Sequence, residues 1–451
     1  MPSRGGRVGE FVVDGEHPQS GVTDRQRVES TSTRMTAALA RLLDALADRV
    51  WWVLAAVSAG FGLLHRGLWS GAGWHWFVAG AHVLFSSAGL HLYATHNELQ
   101  IGPLALVAVA PLVFGLPAHA AQTVAMVLMS LAGLAVLDQV RRLVPNRDRD
   151  ADRAFLLAGL CLVPVWAELA VTYSHPDDVL ALLLSLVALN ALRAGRPAAA
   201  AVLLALAIDC KPWALAFVPA PLLVEHRDRA RAWLVLTATV LAGWLPFFVA
   251  DPRTFSAATF GIRTSLASSL RVLGVHAGTT PLWDRPGQLA LGAALAAVAV
   301  ARGRWPAVIL VAVAARLLLD PATKSYYDAG LLAGAVLCDL VLSRRRVPWL
   351  SVSAVVAFYL PAYLLQADPR VYGLVRTGYL VALIAVVLGS AALVRRGGRV
   401  QVRDVSGQDG SAGCVGFERE TAVAPFGTPL HVGQTAAALT TMCARRLGIR
   451  S

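Results

Sequence analysis

Among 40 basic residues the chain uses lysine only twice, at Lys211 and Lys324. Where arginine serves everywhere else, a retained lysine suggests a need for a compact ammonium, which binds phosphate oxygens as a point charge rather than a planar fork. A second group with chemical potential is Ser174-His175-Pro176-Asp177-Asp178. Pro176 disfavours helix at His175, so the chain turns there. Asp177 and Asp178 then fall in the first turn of the next helix, where the dipole favours carboxylates. Such a pair either caps the helix in the ordinary way or orients a sugar or a metal. Asp209 stands two residues before Lys211, so these two either pair with each other or face a ligand together. The 11 histidines include no H-E-x-x-H, and the five cysteines show no paired spacing, so neither a zinc centre nor a disulfide framework is expected.

These residues need elements to hold them, and the composition says which kind. Of 451 residues, 56% are apolar and 15% are charged, where a soluble domain carries roughly 25% charged residues. Charge that sparse cannot cover a water-soluble body of this size, and long uncharged runs recur from Val50 to Val394. The expected fold is an all-α polytopic membrane bundle. Its candidate spans are 50–64, 119–140, 154–172, 177–192, 197–209, 212–224, 232–249, 287–301, 305–319, 328–342, 348–366 and 373–394. Twelve crossings place both termini inside. Arginines then alternate as the positive-inside rule requires, with 20 basic residues in the inner segments and nine in the outer ones.

The alternation holds only if Ile101–Leu116 does not cross. With Pro103 and Pro111 in a short apolar run, it reads as an interfacial or re-entrant segment of one large outer loop, 65–118. The net charge of +12 is then topology, not a nucleic-acid surface. Residues 1–46 and 396–451 are polar and are expected to be disordered cytoplasmic segments flanking a membrane domain at 47–395. Trp51, Trp52, Trp166, Trp213, Trp233, Trp244, Trp305 and Trp349 fall near span ends and read as headgroup anchors.

On this topology the polar residues gather at the outer rim. Glu98, His175, Asp177, Asp178, Asp209, Lys211, Asp251, Asp320, Lys324 and Asp328 all lie there. Only Glu168, Arg316 and Asp339 lie deep in spans, a thin set for an ion pump. The spans flanking Lys211 are 13 residues each, about 20 Å at a 1.5 Å rise, so Asp209 and Lys211 are expected below the outer surface in a hydrated cavity.

One span, a large outer loop with membrane-lying helices, and then a many-span bundle with an acidic and basic outer face resembles the GT-C superfamily of membrane glycosyltransferases. The nearest likeness is to the polyprenyl-phosphate-mannose-dependent family 87 and its actinobacterial relatives. Three stretches carry the resemblance: Gln100-Ile101-Gly102-Pro103-Leu104, Ala207-Ile208-Asp209-Cys210-Lys211-Pro212-Trp213, and Lys324-Ser325-Tyr326-Tyr327. It covers roughly residues 50–395.

The resemblance implies transfer of a sugar from a polyprenyl-phosphate donor to an acceptor hydroxyl on the outer side of the plasma membrane. A carboxylate takes the acceptor proton and cations stabilise the leaving phosphate. In such enzymes the carboxylate is usually an Asp soon after the first span. Here Glu98 is the only acid of the whole loop, so the catalytic candidates are Glu98, Asp177 and Asp178. Lys211, Lys324, Arg263 and Arg271 are the phosphate-side candidates, with His175 and Tyr327 near the sugar, and Asp209 and Tyr326 complete the substrate-binding set. Implied partners are membrane lipids, the lipid-linked sugar and a glycolipid or glycan acceptor. No cofactor beyond the donor is implied, and a divalent metal is left open. A transporter or lipid flippase, and a non-catalytic relative, are the competing readings. An absent internal repeat and polar residues on one side instead of at the midplane weigh against the transporter.

Overall fold

The computed structural model describes residue 38 and residues 40–68, 71–145, 148–343, 345–359, 361 and 368–390. The C-terminal segment 396–451 and most of 1–46 lie outside the described residues. Within the described part of the latter, residues 40–48 are helical, against the expectation of disorder up to 46. The run Ala40-Arg41-Leu42-Leu43-Asp44-Ala45-Leu46-Ala47 is rich in strong helix formers, and Asp44 is held by Arg153 at 2.5 Å.

Among the described residues every regular element is a helix, and the β structure is limited to one isolated bridge between Arg263 and Thr279. The principal helices are α1 (Val50–Leu68), α2 (Trp74–Leu84), α3 (Pro103–Gly115), α4 (Ala118–Leu143), α5 (Arg149–Ala167), α6 (Pro176–Arg193), α7 (Pro197–Cys210), α8 (His226–Ala250), α9 (Asp284–Ala301), α10 (Val308–Leu319), α11 (Asp328–Cys338), α12 (Trp349–Ala354) and α13 (Pro369–Gly389). Local chemistry sets their ends. Asp148 caps α5 by accepting from the Ala151 amide at 2.7 Å, and proline opens α3, α6, α7 and α13 where no amide partner is needed. Gly195 and Gly303 take φ +69° just past α6 and α9, the left-handed ending that glycine adopts without strain.

Among the described residues, five helices are long and apolar enough to cross a bilayer: Ala118–Leu143, Arg149–Tyr173, His226–Ala250, Ser325–Ser343 and Pro369–Gly389. Six shorter apolar helices accompany them. The chain is a helical protein with the apolar elements of a membrane protein. One expected span takes a different form. Residues 212–224 are not an α-helix but two 3-10 segments, Pro212–Phe217 and Ala220–Leu223, because Pro219 and Pro221 remove amides that an α-helical ladder needs.

The arginine-rich helix ends meet at one end of the bundle. Arg141 pairs with Asp152 at 2.9 Å, Arg346 with Asp150 at 2.8 Å, and Arg193 donates to the Leu143 carbonyl at 2.5 Å. At the other end, amides of Gly71, Ala72 and Gly73 donate to the carbonyls of Val171, Thr172 and Tyr173 at 2.9, 2.9 and 2.7 Å. The Gly102 amide donates to the Cys210 carbonyl at 3.0 Å. A Cβ on Gly71 would overlap Gln122, so α4 begins at this same end. Both ends of α3 therefore stay on one side of the bundle, as expected for a segment that does not cross.

Several tryptophans do more than anchor. Trp166 is buried, packs on Gly133 and donates to the Met129 carbonyl at 2.9 Å. Trp52 and Trp349 are exposed, as headgroup anchors would be.

Candidate active site

The site grows from the turn between α5 and α6. The last turn of α5 widens into a π-helix, Glu168–Tyr173, and the chain then reverses at Ser174, which takes φ +51°. A serine in the left-handed region is uncommon, and its hydroxyl is held by the Ala170 and Val171 carbonyls at 3.3 and 3.2 Å. This reversal delivers His175, and Pro176 opens α6 so that Asp177 and Asp178 face inward, both buried.

Lys211 sits at the end of α7, where Pro212 forbids continuation, and its side chain is 11% exposed. Its ammonium donates to Asp177 Oδ2 and lies 3.4 Å from Asp178 Oδ2. The sequence offered an Asp209–Lys211 pair as one alternative, but the structure pairs Lys211 with the α6 carboxylates instead. Residues two apart at a helix end do not face each other, and Asp209 points to α8. There Gly243 leaves room for its carboxylate, and the Trp244 indole interacts with it. Burial acts to lower the ammonium pKa of Lys211, but Asp177 and Asp178 outweigh it and hold the value above that of an ordinary lysine.

A second cation completes the group. Arg316 of α10 is buried, lies 3.9 Å from Asp178 and 4.0 Å from Asp320, and stacks over Trp213 at 5.0 Å and Tyr327 at 4.3 Å. The Trp213 indole donates to Asp178 Oδ1 at 2.8 Å. Asp178 Oδ2, by contrast, is buried without a hydrogen-bond partner. Aromatic rings close one wall. His175 stacks on Tyr326 at 4.3 Å and 12°, and Tyr326 also meets Tyr173 at 4.7 Å and Tyr327 at 4.3 Å. Gly73 approaches so closely that a Cβ there would sit 2.8 Å from His175 Nε2.

The three segments that carry the family resemblance thus meet. Gly102 docks on the Lys211 turn, and Tyr326 and Tyr327 pack on His175 and Arg316. Lys324 lies exposed at the rim, beside the segment bearing Arg263 and Arg271, which Ser265 ties to Pro321 and Thr323 at 2.8 and 3.1 Å. Arg263 is exposed, while the Arg271 Nε is buried without a hydrogen-bond partner. Glu98 lies outside the group, paired with His96 at 3.2 Å.

His175, Asp177 and Asp178 each offer a ligand atom, all within 4.8 Å of one another, a trio that zinc-motif spacing did not single out. The Lys211 ammonium already supplies counter-charge to the same two carboxylates, so a metal there would compete with it. Trp213, Arg316 and Asp320 joined the site without being named as site residues from the sequence. The available signal was a lone arginine inside the otherwise apolar α10.

Comparison of the chain with family models, curated proteins and solved structures finds no match to any of them.

Proposed function

We propose that the chain is a twelve-span plasma-membrane glycosyltransferase. It moves a sugar, mannose or another hexose or a pentose, from a polyprenyl-phosphate donor to an acceptor hydroxyl on the extracytoplasmic side. The observation that supports this most is the meeting of a buried carboxylate oxygen that accepts no hydrogen bond, Asp178 Oδ2, with the Lys211 ammonium 3.4 Å away. Such a pair suits a reaction that needs a proton acceptor and a phosphate-stabilising cation side by side.

In this mechanism the acceptor oxygen attacks the anomeric carbon while its proton passes to Asp178 Oδ2. The bond between that carbon and the donor phosphate oxygen breaks, and Lys211 and Arg316 offset the charge that develops on phosphate. Asp177, which accepts from the Lys211 ammonium, positions it, and the His175–Tyr326 stack provides a flat face for the sugar ring. Lys324, Arg263 and Arg271 guide the lipid phosphate from the rim.

The test is transfer from radiolabelled polyprenyl-phosphate mannose to lipid acceptors in membranes carrying wild type, Asp178→Asn or Glu98→Gln. Asp178→Asn should lower transfer by about 100-fold or more, the scale of general-base catalysis, whereas Glu98→Gln should retain most of it. Full transfer by Asp178→Asn would overturn the assignment. A transporter reading gains support from the charged set Glu168, Asp328 and Arg376 buried among the helices, since such residues line ion or solute paths. Labelled-solute uptake into proteoliposomes without transfer would favour it.

A further inference from the structure

Arg376, in the second turn of α13, heads the fully buried large side chains of the described residues at 1% exposed, and its Nε, Nη1 and Nη2 all lack hydrogen-bond partners. A guanidinium carries five N–H donors, and burying all of them unmet is among the costliest arrangements a protein interior can hold. Its surroundings relieve this only in part. The Phe358 ring lies 5.2 Å from the guanidinium, and Tyr372 interacts with it without meeting hydrogen-bond geometry. The facing acid is Asp328, 2% exposed, whose Oδ1 also has no hydrogen-bond partner and stands 3.9 Å from Arg376 Nη2.

That separation is informative. A direct charged hydrogen bond closes to about 2.8 Å, so at 3.9 Å the two groups stop short of each other. One oxygen placed about 2.8 Å from both would subtend roughly a right angle between them, and at about 3.0 Å from one of them the angle stays near that value, tighter than tetrahedral yet within hydrogen-bond reach of both. Carboxylate or phosphate oxygens would suit Arg376 and be repelled by Asp328. An ammonium would suit Asp328 and be repelled by Arg376. A hydroxyl satisfies both, accepting from the guanidinium and donating to the carboxylate.

The geometry points to Arg376 and Asp328 as a hydroxyl-recognition subsite for a carbohydrate. Its place in the fold names the ligand class. Asp328 follows Tyr327 directly, so it adjoins the stacked wall of Tyr173, His175, Tyr326 and Tyr327. Glu168 opens the same π-turn that ends in Tyr173, and it acts electrostatically on Asp328. Aromatic faces beside paired hydroxyl ligands are the chemistry of a sugar ring, apolar on its faces and polar around its edge. The inference rests on the transferase reading and adds which residues select a ring hydroxyl.

The experiment uses the purified full chain in nanodiscs and measures binding of methyl α-D-mannopyranoside and its 2-, 3-, 4- and 6-deoxy analogues. Wild type is compared with Arg376→Lys, Arg376→Met and Asp328→Asn, each checked for retained thermal unfolding. One deoxy analogue should bind wild type about tenfold or more weakly, because a buried donor and acceptor are left unmet. That penalty should vanish in Arg376→Met and Asp328→Asn. An equal penalty in all the proteins, equal binding of every analogue to wild type, or no glycoside binding at all would each overturn the subsite and leave a bridging water as the occupant. Transfer from labelled polyprenyl-phosphate mannose is measured in parallel. Deoxy-sensitive binding without transfer would keep the subsite and remove the transferase, and transfer with an unaltered deoxy pattern would do the reverse.

Discussion

Replacing Lys211 by methionine keeps the length of the side chain and removes the cation that two buried carboxylates share. In the native protein the ammonium lies against Asp177 and 3.4 Å from Asp178, with both acids almost fully buried. A pair of unit charges near 4 Å interacts by about 4 kcal/mol at an effective dielectric constant of 20. Removing one partner of a buried pair costs about 3–5 kcal/mol, because the other charge is left uncompensated. Arg316, 3.9 Å from Asp178, offsets part of the loss for that acid, whereas beside Asp177 the next basic group among the described residues is the His175 ring at 3.4 Å. Lys211→Met should therefore destabilise by about 3 kcal/mol, the lower end of that range. The double variant with Asp177→Asn should recover much of this, with a coupling of about 1–3 kcal/mol. Thermal unfolding of the detergent-solubilised protein, followed by tryptophan fluorescence, reads both quantities. A change below about 0.5 kcal/mol, the level of an ordinary surface substitution, would refute the account of the pair, as would strict additivity of the two changes.

Other outcomes follow from single contacts. Gly73→Ala should cost about 1–3 kcal/mol by overpacking, since its Cβ would sit 2.6 Å from the Tyr173 carbonyl and 2.8 Å from His175 Nε2; an unchanged melting temperature would contradict the close approach. Asp251 is held well below the usual carboxylate range by hydrogen bonds from the Arg253 side chain and amide, with His91 adding a further contact. A depressed carboxylate contributes stability that is present above its unfolded value and is lost as pH falls through the folded one. The Asp251→Asn protein should therefore lose less stability than wild type on acidification below the ordinary aspartate range, as read by unfolding at stepped pH. Asp339→Ala should loosen the start of α12, because Asp339 accepts from the Leu350 and Ser351 amides at 3.1 and 2.8 Å. Loss of such a cap costs about 1 kcal/mol, and hydrogen exchange confined to residues 349–354 would report it.

Much of the architecture was readable from composition and charge. The alternating arginines anticipated which helix ends meet, and Pro103 and Pro111 anticipated a segment whose two ends stay on one side. The shared location of His175, Asp177, Asp178 and Lys211 was readable because each stands at a helix end on the same side. Their partners were not. The choice of Asp177 over Asp209 for Lys211 depends on how α6 lies against α7, which spacing along the chain does not encode. Charge counting also gives no hint that Arg376 is buried, because the positive-inside rule weighs position along the chain and is blind to burial. The π-turns at Glu168–Tyr173 and Asp339–Ser343 carry no residue signature that separates them from regular helix.

A stretch wound with three residues per turn reaches farther for its length than one wound with 3.6. The six residues of Pro212–Phe217 extend over about 12 Å at a 2.0 Å rise, where α-helical winding would cover about 9 Å. The prolines that impose this winding therefore act as a ruler, setting how far the Lys211 end stands from the start of α8. Rewinding the stretch by replacing Pro219 and Pro221 with alanine would draw those two points together and pull the ammonium off its carboxylates, with every residue of the candidate site left unchanged.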